Sequence, residues 1–434
     1  MELMDFEVVR EYIESLLKEV KNKEVHEEIT LEILSHIEER YEDALERGLN
    51  SEEGILESIK AMGSPEEAGQ RLNIVHKGKI EWGIVIPSIL MCCIGVFLMF
   101  FMVGYDENFS RNMALRTVIY SVMGVIFAVL LYKFDYRKME RHCLKIFIGA
   151  NLLLLFSVFW GNKIHGVKRF FTIGNSSIDI IQVFLFLICL SLPGVLKEVK
   201  DKGTRTLIYL IGIYGVPSSL LFLMPSVMSF IIYTGVYLIL VKNSKLQKKE
   251  AFLLPGGVLG YISMKIITTP YMKARIAPFI NMSKDPNGMG YINNQINNLI
   301  GLSKLFGNGI DKSLQLLPEL HTDYVFVYVV YTFGWIFALA LVGMVIFFIH
   351  RIFSTSRVVK DNYGKLILMS FATVFSIEFS WSILMNLNLV PIMSINCPFI
   401  SYGGTAMVLN IASIGLMMSV YKRKNYSSKA TIIN

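Results

Sequence analysis

Long, uninterrupted apolar runs between residues 83 and 420 restrict this chain more than any other feature of its sequence. About 20 apolar residues in a helix span a hydrocarbon core, and only helices or closed barrels leave no backbone group unpaired there. Because the apolarity is continuous rather than alternating, the runs read as helices. They are Gly83–Val103, Thr117–Tyr132, Cys143–Trp160, Ile180–Leu196, Thr206–Met224, Pro225–Val241, Ala251–Ile267, Tyr324–Ile349, Leu366–Leu389 and Thr405–Val420. The predicted fold is all-α, a polytopic membrane helical bundle of about ten transmembrane helices. The junction at Pro225 leaves two forms open, two half-length spans or one kinked helix. Composition agrees with a lipid solvent: only 18% of the residues are charged, against about 25% in an average soluble domain.

Charge divides the chain in two. Residues 1–80 carry 20 acidic and 10 basic side chains and the rest carry 15 and 32, so a segment of net −10 precedes one of +17. The acidic part has helical spacing at Phe6, Val9, Tyr12, Ile13, Leu16 and Leu17, then at Ile29, Ile33, Ile37, Tyr41 and Leu45. Gly48 offers a stop, and Ser51 and Ser64-Pro65 offer two new starts. Four short helices fit. The predicted organisation is a cytoplasmic acidic helical prefix domain over 1–78, a transmembrane domain over 79–424 and a cytoplasmic tail over 425–434. The prefix, with its Met62-Gly-Ser-Pro-Glu-Glu-Ala-Gly-Gln-Arg-Leu72 ending, resembles the small helical domains ahead of some permeases of Gram-positive bacteria.

Some chemistries are not signalled. His26 and His36 do not form a His-Glu-x-x-His site, and the five cysteines lack metal-ligand or disulfide spacing. The acidic N-terminus is unlike a cleavable signal peptide, so the first span is expected to direct insertion. The basic excess sits in loops, the pattern of a membrane protein, and no nucleic-acid partner is read from it.

Short loops rich in Lys and Arg stay in the cytoplasm. With ten spans, Lys133–His142, Lys197–Arg205, Lys242–Glu250, His350–Lys365 and Tyr421–Asn425 share one side. The expected location is the cytoplasmic membrane, multi-pass, with both termini cytoplasmic. The opposite face then holds Gly161–Asp179, the long Thr268–Asp323 loop and Pro391–Gly404. A connection that long is usually functional.

Four stretches on that outer face are least generic: Gly166-Val-Lys-Arg-Phe-Phe-Thr-Ile-Gly174; Arg275 through Asp285-Pro-Asn-Gly-Met-Gly-Tyr291 to Gln295 and Leu305-Phe-Gly-Asn-Gly309; Leu317-Pro-Glu-Leu-His-Thr-Asp-Tyr324; and Pro398-Phe-Ile-Ser-Tyr-Gly-Gly-Thr405. In this order they resemble the FtsW/RodA/SpoVE family of shape, elongation, division and sporulation proteins over roughly residues 83–422. The resemblance implies ten transmembrane helices and a peptidoglycan glycosyltransferase that polymerises lipid II, working beside a class B penicillin-binding protein. The prefix domain implies a further, cytoplasmic partner. The family's key acidic residue falls in the His321-Thr-Asp323 stretch, which makes Asp323 the candidate catalytic base. A carboxyl at the lip of a spanning helix is partly desolvated, and desolvation favours its protonated form.

An anionic pyrophosphate on a polyprenyl tail calls for cations near the headgroups and an apolar groove. Lys168, Arg169 and Arg275 are the candidate cations, with Gln295, His321, Thr322, Ser401, Tyr402, Gly403 and Gly404 as further substrate-binding residues. The glycine turn is expected to aim free amides at the cavity. No protein metal site is expected, though a divalent cation could assist. An α-linked lipid phosphate giving a β-glycosidic bond implies one inverting displacement.

Each residue also has a structural reading. Lys168 and Arg169 could anchor a loop to headgroups, Asp323 could cap its helix, and glycine turns commonly serve connection alone. Glu378, ionisable inside a span where the family often has Gln, could bond across helices, and Lys265 could snorkel. The chain also departs from the family pattern. Asp179-Ile-Ile-Gln182 stands for Gln-Pro-Ser-Glu, Met224-Pro-Ser-Val-Met-Ser229 for Gln-Pro-Asp-Leu-Gly-Thr, and Ile292 and Ile296 replace the usual Gln and Ser. These losses keep two alternatives open, a flippase or transporter of the lipid-linked precursor and an inactive membrane scaffold.

Overall fold

The computed structural model describes residues 3–21, 23, 26–75, 80–103, 111–164, 167–173, 176–199, 206–224, 226–244, 251, 254–257, 260, 290–310, 314 and 317–425. The chain divides into two compact units, the second being Glu81–Lys424.

The first unit holds four helices: α1 (Glu7–Glu19), α2 (His26–Glu46), α3 (Ser51–Met62) and α4 (Pro65–Val75). Val9, Tyr12, Ile13 and Leu16 pack with Ile29, Ile33, Ile37 and Ile55, so the helical spacing does form a core. Gly48 turns the chain at φ +89°, a conformation open to glycine. Asn50, one residue before the expected start, caps α3 by accepting the Glu53 N–H at 2.8 Å. Leu45, expected in the core, is exposed at the end of α2.

The second unit is a helical membrane bundle. Seven described helices are long and apolar enough to cross a bilayer: α5 (Trp82–Met102), α6 (Arg111–Lys133), α7 (Cys143–Trp160), α8 (Ile180–Val199), α13 (Val325–Val358), α14 (Asn362–Asn386) and α15 (Gly404–Lys422). Between α8 and α13 lie α9 (Thr206–Leu210), a π-helical turn (Ile211–Gly215), α10 (Val216–Leu223), α11 (Val227–Asn243) and α12 (Tyr291–Leu302). The seventh predicted run, Ala251–Ile267, falls for the most part outside the described residues, as do Lys265 and Arg275.

The chain reverses between α10 and α11. Tyr214 and Tyr233 stack at 5.9 Å, and the Tyr214 hydroxyl lies 3.0 Å from Thr234 Oγ1. Groups 19 and 20 positions apart can pack side by side only if the chain reverses between them. Elsewhere small residues allow close approach, the usual device where lipid offers no hydrophobic drive between helices. A Cβ on Gly415 of α15 would run into the Ala128 carbonyl of α6.

Two features depart from simple helices. First, Gly161–Asp179 contains a three-stranded antiparallel ribbon, β1 (Asn162–Ile164), β2 (Val167–Ile173) and β3 (Ser176–Asp179), pairing Phe170 with Asp179 and Phe171 with Ile178. Second, α13 breaks at Gly334, where φ is +90° and ψ 170°. The segment Lys304–Gly309 fills that break. Asn308 N–H reaches Tyr331 O (2.9 Å), Gly309 N–H reaches Thr332 O (3.2 Å), and Trp335 N–H donates to Lys304 O (3.2 Å). Backbone groups freed inside a bilayer need such partners. The Leu305–Gly309 stretch, one of the least generic outer-face segments of the sequence, therefore mends a helix. At Gly334 a Cβ would meet Gly307 N and Leu305 O. Gly334→Ala is expected to cost roughly 2–6 kcal/mol from backbone strain plus overpacking, measured as a lowered thermal midpoint of the purified protein.

Candidate active site

Asp323 closes a tight turn that leads into α13. Glu319 enters the turn at φ +54°, and its carbonyl accepts the N–H groups of Thr322 (3.1 Å), Asp323 (3.1 Å) and Tyr324 (3.3 Å). Thr322 Oγ1 also donates to the Glu319 carboxylate at 2.9 Å. His321, Thr322 and Asp323 are all half-buried.

The glycine-turn stretch lies against this turn. Ser401 Oγ accepts the Cys397 N–H at 2.9 Å and donates to Thr322 O at 2.7 Å, while Tyr402 N–H donates to His321 O at 2.8 Å. The His321 and Tyr402 rings meet edge-on at 5.7 Å. The expectation of free amides at Ser401 and Tyr402 does not hold. Ser401 N–H is spent on Cys397 O at 3.0 Å and Tyr402 N–H on His321 O, because the stretch closes its own turn and clamps its neighbour. Gly403 is extended, at φ 175°. Gly404 serves close approach, since a Cβ there would lie 2.9 Å from the Tyr120 ring.

The ribbon joins the same end through Thr405, whose Oγ1 accepts the Asp179 N–H at 3.0 Å. Arg169 and Asp179 form an ion pair at 2.6 Å, with the guanidinium over the Phe170 ring at 4.8 Å. Asp179 Oδ1 also accepts the Ile181 N–H at 3.0 Å, capping α8. Arg169 is thus committed to a buried carboxylate. Lys168 occupies β2 beside it, and its side chain lies outside the described residues, as does the whole of Arg275.

Gln295 is half-buried on α12, next to the face of Asn293, Ile296 and Leu299 that packs inward. Asn293 Nδ2 donates to Asn388 Oδ1 at 2.5 Å and Asn388 Nδ2 to Asn297 Oδ1 at 3.1 Å, which tie α12 to the end of α14. Deeper in the bundle, Gln182 Nε2 lies 3.5 Å from Glu378 Oε1. Gln182 of α8 thus faces a carboxylate of α14.

Several residues at this end went unread in the sequence. Arg116 of α6 bonds the Tyr402 hydroxyl. Burial holds that phenol above its ordinary range, with Tyr120 adding to the effect and Arg116 opposing it. Its signal was a cation just ahead of an apolar run. Asn386 is fully buried and donates to Asp323 O at 2.9 Å; its signal was a carboxamide inside an apolar helix. The three described non-glycine residues at positive φ, Glu319, Asn388 and Phe399, belong to these same segments. Each such residue costs about 1–3 kcal/mol and tends to mark a functional site.

Beside the ribbon, an apolar groove of about 920 Å³ runs along α7 and α8, lined by Ile146, Ala150, Leu153, Phe156, Trp160 and Leu187. Phe156 stacks on Phe171 of β2 at 5.2 Å. The groove therefore lies against the ribbon that carries Lys168 and Arg169.

The model of the FtsW/RodA/SpoVE family, described as cell cycle protein, matches residues 82–426. The chain is 25% identical over 380 residues to the probable peptidoglycan glycosyltransferase FtsW of Thioalkalivibrio sulfidiphilus, covering 82% of this chain and 93% of that protein. It is 24% identical over 309 residues to the corresponding protein of Thiomicrospira cyclica, covering 69% and 79%. Its fold is similar to a chain of a peptidoglycan synthase complex that coordinates polymerization and crosslinking, with a TM-score of 0.67, 19% identity, and coverage of 80% of this chain and 99% of that one. The rod shape determining protein RodA of Thermus thermophilus gives a TM-score of 0.60 at 16% identity, covering 80% and 98%.

Proposed function

The chain belongs to the FtsW/RodA/SpoVE family, and from that premise we propose that it is a peptidoglycan glycosyltransferase that polymerises lipid II at the outer face of the cytoplasmic membrane. The reading is carried by one observation, the docking of the Asp323 turn onto the Ser401–Tyr402 stretch and, through Thr405, onto the Arg169 ribbon.

Asp323 is the general base. It takes the proton of the attacking sugar hydroxyl as that oxygen bonds to the anomeric carbon of the second substrate. The bond from that carbon to the phosphate oxygen breaks, and the lipid pyrophosphate leaves with its electron pair. Inversion follows from the single displacement. The groove along α7 and α8 takes the prenyl tail, because its lining is apolar and it lies against the ribbon through the Phe156–Phe171 stack. Arg116 stands with Tyr402 near the turn. Lys168 and Arg275 would add charge to hold the pyrophosphate, and Gln295, His321 and Thr322 would contact the sugars. Among the described residues no group of three His, Cys, Asp or Glu could hold a metal ion. A divalent cation, if the reaction uses one, would help neutralise the pyrophosphate.

The crosslinking partner is a class B penicillin-binding protein, a reading supported by the synthase complex whose chain shares this fold. The acidic first unit would meet a separate cytoplasmic partner. Basic loops at the end away from the ribbon support cytoplasmic termini.

The test is direct. Full-length protein in detergent, given labelled lipid II, is expected to yield glycan polymer on a gel. No polymer from folded wild type, with its penicillin-binding partner present, would overturn the assignment.

A further inference from the structure

Three consecutive carbonyls of the Asp323 turn each receive a donor from far along the chain. His321 O takes the Tyr402 N–H, Thr322 O takes the Ser401 hydroxyl, and Asp323 O takes Asn386 Nδ2. Two of these donors belong to the glycine-turn stretch. The third comes from the interior of the bundle.

Asn386 lies in the last turn of α14 and is fully buried. A carboxamide has two N–H donors and one carbonyl acceptor, and here all are used. Nδ2 donates to Asp323 O at 2.9 Å and to Ser382 O at 2.8 Å, and Oδ1 accepts the Val327 N–H at 3.0 Å. Val327 N–H is one of the amides that the first turn of a helix leaves without an intrahelical partner. The N-cap of α13 is Tyr324, a residue type without a short side-chain acceptor, so the cap is supplied from the neighbouring helix. One side chain thus closes the N-terminus of α13 and fixes the carbonyl of the residue two positions before it.

We infer that Asn386 is a positioning residue for the reaction, holding Asp323 at the angle from which its carboxylate meets the sugar hydroxyl. The inference rests on the base role given to Asp323 above. The hydrogen bonds of Asn386 go to backbone groups, so it contributes through the geometry of the turn. A misplacement of about 1 Å in a reacting group lowers a rate on the order of a hundredfold without altering what holds the substrate.

The test compares Asn386→Ala, Asn386→Asp, Asp323→Ala and the double variant Asn386→Ala/Asp323→Ala by lipid II polymerisation, with thermal midpoints measured alongside. Asn386→Asp keeps the shape and the acceptor for Val327 N–H while facing Asp323 O with a second oxygen, so it serves even where the alanine variant does not fold. In each folded Asn386 variant, kcat is expected to fall about ten- to hundredfold with KM within about twofold of wild type. The double variant is expected to be no slower than Asp323→Ala alone. A folded Asn386 variant with wild-type kcat would overturn the positioning role while the base role stood. So would a further loss in the Asp323→Ala background, the mark of a general structural defect. Wild-type polymerisation by Asp323→Ala would remove the base and the residue that positions it together.

Discussion

Asp323→Ala is expected to lower lipid II polymerisation by about 10²–10⁴-fold, the range a positioned general base contributes, while the protein still inserts and purifies in normal yield. The structure explains why the two effects separate. The bonds that shape this turn run through backbone groups: Asp323 N–H to Glu319 O, and Asn386 Nδ2 to Asp323 O. Alanine keeps both. Asp323→Asn should be equally inactive, because an amide of the same shape cannot take up the proton. The same variants separate a polymerase from a flippase, a reading the lipid-facing groove would also serve. Transbilayer movement of a lipid-linked analogue in liposomes, persisting in Asp323→Ala, would favour the flippase, whereas undiminished polymer from Asp323→Ala would remove Asp323 from the chemistry.

Much of this was legible in the sequence, and the limits of legibility have physical causes. Continuous apolarity marks a spanning helix by itself, so the runs from Gly83 to Val420 could be placed without knowing their neighbours. The Pro225 junction could not. Its form depends on Tyr214 packing against Tyr233, a contact between separate helices that leaves no periodic trace. The ribbon escaped because its strands are short and alternate weakly. Leu305–Gly309 stood out in the sequence only as an uncommon outer-face stretch, whereas its role follows from Gly334, a glycine in the middle of a distant apolar run. For the site, the motif residues Asp323, His321, Ser401 and Tyr402 do come together. Asn386 and Arg116, which hold them, lie in other segments, and a lone polar residue in or beside an apolar run does not say which neighbour it will meet. Gln182 and Glu378 show the same limit, since side chains 196 positions apart in sequence stand 3.5 Å apart on separate helices.

The Arg169–Asp179 pair should give the largest change in stability. Both side chains are nearly buried, at 14% and 8% exposure, and only 2.6 Å separates them. Removing one partner of such a pair leaves the other charge uncompensated, at a cost of about 3–5 kcal/mol. Asp179→Ala should exceed Arg169→Ala, because Asp179 also caps α8 through the Ile181 N–H, worth about 0.5–2 kcal/mol. Arg169 Nε is buried without a hydrogen-bond partner, so the pair is not ideally satisfied to begin with. The double variant Arg169→Met/Asp179→Leu is therefore expected to be more stable than either single alanine variant, short of wild type by the lost cap. Thermal midpoints in detergent measure this order, and polymerisation by the same samples divides structure from function. If Arg169 also neutralises the pyrophosphate, the double variant should fold and remain slow. Activity that returns with the fold would instead confine Arg169 to pinning the ribbon against α8 and α15, and would leave the phosphate to Arg116, Lys168 and Arg275.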